Sequence, residues 1–192
     1  MDGLTLLIAD HNRVRGLFAR IQEAEKSGEV TAMADLMHMI DEELTVHTDI
    51  EEKVFYPWAH RLSRDIAEVV DEGIEEHHVV KTLLDEIREL EPDDSRWVAK
   101  VTVVIENVEH HAGEEETELF PQVRGATDAD AREQLGRDLE ARKATLGAPV
   151  LADKEDLTTA QLHDIASEQK IPGRSSMDHD ELAATVSPPL TP

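Results

Sequence analysis

Two segments of this chain carry the same phrase. One is His47-Thr-Asp-Ile-Glu51-Glu52 running on to Phe55-Tyr56-Pro57, and the other is His111-Ala-Gly-Glu-Glu115-Glu116 running on to Leu119-Phe120-Pro121. In each, a histidine and a glutamate stand one helical turn apart, so both side chains project from one face of a helix. A proline closes each phrase and is expected to halt the helix. Two helices built this way can each offer a nitrogen and an oxygen to one buried point, which is the donor set of a metal site.

The apolar residues around these phrases repeat at helical spacing. Leu4, Leu7, Ile8, Val14, Leu17, Phe18 and Ile21 draw a first stripe that contains His11. After Ser27-Gly28, a second stripe runs through Met33, Leu36, Met37, Ile40, Leu44, Val54 and Trp58, with His47 and Glu51 at its centre. The third, Ile66, Val69, Val70, Ile74, Val80, Leu84 and Ile87, includes His77 and ends near Glu91-Pro92-Asp93-Asp94. The fourth runs from Ser95 through Trp97, Val101, Val104, Val108 and Leu119, with His111 and Glu115 in line. Four amphipathic helices with short connections predict an all-α, up-down-up-down four-helix bundle. A fifth helix is expected from Thr127, as N-cap, to about Thr145, packed outside the bundle.

The halves align as an internal repeat, a lone histidine on one helix and a His-x-x-x-Glu pair on the next. His47 to His111 and Glu51 to Glu115 are both 64 positions, and His11 to His77 is 66. Register separates the adjacent histidines: His77 shares a face with Val80 and Leu84, and His111 with Val104 and Val108. His78 and His110 then flank the site, His38 is exposed, and His60, His163 and His179 have no assigned role. The expected ligands are His11, His47, Glu51, His77, His111 and Glu115.

A buried unpaired glutamate costs several kcal/mol or is forced neutral, so inward carboxylates beside inward imidazoles favour a cation. A metal-free network of hydrogen-bonded histidine and glutamate is the alternative. Six ligands exceed what one zinc takes from protein and suit two metals bridged by carboxylates. Two irons are expected, with zinc and manganese as alternatives that spacing does not separate. Glu52 and Glu116, common to both copies, are solvated residues or acceptors for ligand imidazoles. Met33 and Met37 read as core filling, and Trp58, Trp97 and Tyr56 as packing groups, Tyr56 alone carrying a phenol.

The chain has 192 residues and no cysteine, which removes disulfides, thiolate zinc sites, iron–sulfur clusters and cysteine nucleophiles. Its N-terminal apolar run is too short for a signal peptide or membrane span, and a cytoplasmic protein without membrane partners is expected. A formal charge of −24, with aromatics at 3%, argues against nucleic acid as a partner.

At these residues the chain resembles the hemerythrin-like HHE cation-binding family, whose pattern is His, then His-x-x-x-Glu, then both again. The resemblance covers about residues 1 to 145 and fills every slot. It implies a non-haem di-iron centre with an oxo or hydroxo bridge and with Glu51 and Glu115 as bridging ligands. Oxygen-carrying hemerythrins have a further histidine one turn before the third-helix ligand, where this chain has Gly73. Members with the reduced set resemble iron-dependent responders to peroxide, nitric oxide or oxygen. The expected function is therefore a di-iron protein that reacts with or senses such species, as enzyme or sensor. An iron store or donor without turnover is one alternative, and a nucleic-acid-associated regulator is another.

Beyond Leu146-Gly147-Ala148-Pro149, a linker expected over 146–154, residues 155–186 resemble the small helix-extended-helix module at the start of transcription terminator Rho. In that family basic residues help bind nucleic acid. Residues 153–192 here hold three basic and eight acidic side chains, which favours protein docking or a passive appendage over nucleic acid. Residues 187–192, Ser-Pro-Pro-Leu-Thr-Pro, are expected to be disordered.

Overall fold

The computed structural model describes residues 1–147, 158–168, 174–177, 179 and 182, and every regular element among them is helical. The chain divides into two compact units, Val14–Asp128, and Met1–Arg13 together with Ala129–Pro192. Helix α1 (Gly3–Ser27) contributes its beginning to one unit and its remainder to the other.

The unit Val14–Asp128 is the expected four-helix bundle. Its helices are the later turns of α1, then α2 (Val30–Ile50), α4 (Arg64–Arg88) and α5 (Ser95–Glu114). The reversal between α1 and α2 takes two residues, and Gly28 supplies the positive φ of 70° that it requires. Ser63 Oγ caps α4 by accepting from Ile66 N at 3.2 Å, and Asp94 caps α5 by accepting from Arg96 N at 2.8 Å. The core joins all four helices: Val14, Leu17, Phe18 and Ile21 meet Met33, Leu36, Met37, Ile40 and Leu44, with Val80, Leu84, Ile87, Trp97, Val101 and Val104. Each fully buried side chain of this size contributes about 1.5–3 kcal/mol over its exposed state.

The prolines do not end their helices. After Ile50 the chain passes through a π-helical turn, Glu51–Phe55, into α3 (Tyr56–Ala59) with Pro57 in its first turn. After Glu114 it does the same through Glu115–Leu119 into α6 (Phe120–Ala126), with Pro121 in the first turn. Tyr56 N–H donates to the Glu51 carbonyl and Phe120 N–H to the Glu115 carbonyl, five residues back in each case. The wider turn accommodates a proline, which lacks an N–H and crowds the carbonyl four residues before it. Each π turn begins at the glutamate of the repeated phrase.

The other unit is built on the first turns of α1. Helix α7 (Ala129–Thr145) begins one residue later than a Thr127 N-cap implies, and the Thr127 hydroxyl donates back to the Val123 carbonyl at 2.7 Å. Gly136 admits the Met1 carbonyl so closely that a Cβ there would lie 2.0 Å from its oxygen. Arg132 Nε donates to Asp2 at 2.6 Å, and Lys143 Nζ donates to both oxygens of Asp10 at 2.6 and 2.7 Å. Helix α8 (Thr159–Glu168) brings Leu162 and Ala166 into a small core with Ala9 and Leu182. Of the expected linker over 146–154, residues 148 onward lie outside the described residues, as does the 187–192 tail and much of 155–186.

Candidate metal centre

Within Val14–Asp128, the two phrases place His47, Glu51, His111 and Glu115 in the interior, and α4 adds His77; all are at most 5% exposed. Glu51, His77 and His111 each offer a ligand atom within 4.8 Å of the others, as do His47, Glu51 and Glu115. Glu51 belongs to both groups. His47 Nε2 and His77 Nε2 each lie 3.2 Å from Glu51 Oε2. His11 is buried on α1, in the part of that helix grouped with the other unit. The neighbouring His78 and His110 are exposed, as are His38 and His60.

Two of these imidazoles are held from behind. His77 Nδ1 lies 3.1 Å from Glu52 Oε1, and His111 Nδ1 lies 2.7 Å from Glu76 Oε2. An ionised carboxylate can only accept, so each Nδ1 donates to its carboxylate and each ring turns Nε2 to the interior. The hydrogen bond from His77, assisted by Lys81, holds Glu52 down at a pKa of about 2. The hydrogen bond from His111 likewise lowers Glu76. The two Nε2 atoms stand 3.0 Å apart in the buried interior. Two lone pairs at that distance repel unless a proton or a cation lies between them, so the donor set fits a bound metal ion.

Tyr56 enters the same space. Its hydroxyl donates to Glu115 Oε1 at 3.0 Å and lies 3.4 Å from His77 Nε2 and 3.3 Å from His111 Nε2. Burial first, then the charges of Glu115 and Glu51, raise the phenol well above its ordinary pKa. Gly73 leaves room for this hydroxyl, since a Cβ there would sit 3.0 Å from Tyr56 Oη and 3.4 Å from His111 Cε1.

Residues 2–123 match the family described as Hemerythrin HHE cation binding domain. The chain belongs to that family. Membership implies a bound metal, and the buried histidine and glutamate groups are where this hemerythrin-family chain could hold one. It is also 28% identical over 139 residues to a protein named DNA nickase from Nostoc sp. (strain PCC 7120 / SAG 25.82 / UTEX 2576). That alignment covers 71% of this chain and 38% of the relative, so the chain spans well under half the relative's length. No solved structure matches the chain. No helix among the described residues is long and apolar enough to cross a membrane.

Sequence periodicity misplaced two residues beside the site. Tyr56 lies five positions after Glu51, about 140° around an α-helix from it, and so reads as packing. The π turn brings the tyrosine back to the glutamate's side. On α4 the inward register is Val70, Gly73, His77 and Val80, while Ile74, expected in the stripe, is 39% exposed. Of the two shared glutamates, Glu52 reaches the imidazole of His77, whereas Glu116 accepts from Arg15 at 2.8 Å. Glu76 carried no sequence signal beyond preceding His77.

Proposed function

We propose that this chain is a non-haem di-iron protein of the hemerythrin type that reacts with or senses peroxide, nitric oxide or oxygen. His11, His47, Glu51, His77, His111 and Glu115 are the proposed ligands, with Glu51 and Glu115 as the carboxylates shared between two ions. The observation that carries this reading is the pair of buried Nε2 atoms, of His77 and His111, 3.0 Å apart with both Nδ1 atoms committed to carboxylates. Glu51 supports a shared role, since it lies within ligand distance of histidines on both sides. His11 is included on its burial and on its correspondence to His77 in the repeat.

When bound, two irons supply one-electron exchange at each ion and a position for a small reactant. The chain's residues supply the rest. Glu52 and Glu76 orient the rings of His77 and His111 and raise their basicity. The Tyr56 hydroxyl fixes Glu115 through its hydrogen bond and gives one side of the site a polar wall. Core side chains keep bulk water out. A surface cleft of about 320 Å³, lined by Thr48, Glu52, Lys81 and Arg88 among others, reaches the back of the His77 anchor and offers a path for protons.

The nickase relative does not redirect this reading. The shared part is 38% of that protein, and a net charge of −24 repels a phosphate backbone. For the C-terminal segment, protein docking is the preferred role on the same electrostatic ground.

Metal analysis of protein purified in air, followed by near-ultraviolet absorption before and after peroxide or nitric oxide, tests the proposal. Two irons per chain and a band that responds to either reagent are expected. Iron that leaves rapidly to a chelator, with no peroxide consumed and no response to nitric oxide, would indicate a store or donor instead. Stoichiometric zinc or manganese would reassign the metal.

A further inference from the structure

Beside the buried centre lies the same ligand pattern displaced by one residue on each helix. His77, His111 and Glu115 face inward; Glu76, His110 and Glu114 immediately precede them and gather at the surface. His110 and Glu114 repeat the His-x-x-x-Glu spacing of the interior pairs, so they share a face of α5. Glu76 joins them from α4, as His77 joins the interior set.

The geometry suits a small cation. His110 Nε2 lies 3.2 Å from Glu114 Oε1 and 3.8 Å from Glu76 Oε1. Ligands at about 2.1 Å in a tetrahedral shell stand about 3.4 Å from one another, between these distances. All three ligand atoms lie within 4.8 Å of one another. Glu76 is already held in place, because its other oxygen, Oε2, accepts from His111 Nδ1 at 2.7 Å. The carboxylate thus offers one oxygen to the interior ligand and keeps the other for the surface. Exposures of 22% for Glu76, 65% for His110 and 36% for Glu114 leave the remaining coordination positions open to water.

Helical spacing alone does not make such a place. His38 and Glu42 are also four apart on an exposed face, with Nε2 3.4 Å from Oε1. Among the described residues no third ligand groups with them, whereas Glu76 completes the set at His110.

We propose that Glu76, His110 and Glu114 form a surface site for one divalent transition-metal cation, separate from the buried centre and one carboxylate away from His111. One imidazole and two carboxylates suit zinc, manganese or ferrous ions, and the chain's negative charge concentrates cations near it. The site stands on its own geometry and does not depend on the identity of the buried metal.

Titration of the purified full chain with zinc chloride, followed calorimetrically near neutral pH, tests the proposal, with buried metal content measured before and after. Wild type is expected to take up one further equivalent without losing buried metal. His110→Ala should weaken that uptake by about tenfold or more, and Glu114→Gln should weaken it too, with buried metal and helicity unchanged. His38→Ala should titrate like wild type. Unchanged zinc uptake in His110→Ala, or loss of uptake in His38→Ala instead, would overturn the assignment. So would the absence of any further equivalent in wild type.

Discussion

The two halves of the repeat share their histidines and glutamate but not the residues beside them. Five positions after its glutamate, the first copy has Tyr56, whose hydroxyl bonds Glu115, while the second has Phe120, buried with no polar atom to offer. One turn before the lone histidine, the half with His77 has Gly73, which leaves space for that hydroxyl, and the half with His11 has buried Leu7. The acidic residue preceding each lone histidine diverges as well. Asp10 is buried and held by Lys143, with Arg13 Nη1 donating at 2.8 Å, whereas Glu76 is partly exposed and divided between His111 and the surface. Matching positions of the repeat have thus taken up different work, polar contact and open space at Tyr56, Gly73 and Glu76, and apolar or ion-paired burial at Phe120, Leu7 and Asp10.

The largest effect expected is loss of the metal pair. His47→Ala or Glu115→Ala, one ligand from each copy, should each reduce bound iron far below two per chain by elemental analysis. Near-normal iron in both variants would remove the assigned ligands.

Next come the two acidic residues that precede the lone histidines. Lys143→Ala leaves the Asp10 carboxylate buried without its main counter-charge and should cost about 3–5 kcal/mol in urea unfolding. The change at the corresponding acidic residue of the other half, Glu76→Gln, should leave stability within about 1 kcal/mol. It should instead weaken metal binding by about 10–100-fold, because His111 loses its charged acceptor. Equal unfolding costs for the two variants would erase the distinction between the two acidic residues.

The smallest effect separates the fifth positions. Tyr56→Phe makes the first copy resemble the second and should destabilise by about 1 kcal/mol through loss of one buried hydrogen bond. Metal content should be kept while the response to peroxide or nitric oxide changes. Phe120→Tyr should leave that response as it is. A tyrosine variant indistinguishable from wild type in both stability and response would mean that the polar wall plays no part.

Much of this was legible in the sequence, because helical periodicity and ligand spacing obey the same 3.6-residue geometry. The four stripes gave the bundle, and register alone turned His77 and His111 inward and His78 and His110 outward. Legibility failed where that geometry is broken. A π turn has no sequence mark comparable to a cap, so Pro57 and Pro121 read as helix ends and Tyr56 as packing. Gly73 also escaped the stripe because glycine contributes no hydrophobicity, and its use is the volume that it leaves to another residue. Long-range partners such as Glu76 with His111, or Lys143 with Asp10, depend on tertiary juxtaposition that no local window contains.

The most direct test is anomalous diffraction from crystals of the iron-loaded protein, recorded at the iron absorption edge. Two peaks are predicted in the interior, one within bonding distance of His77 Nε2 and His111 Nε2, and both close to Glu51 and Glu115. An interior without peaks, with His77 and His111 still facing each other 3.0 Å apart, would contradict the account and leave a hydrogen-bonded core in place of a metal centre.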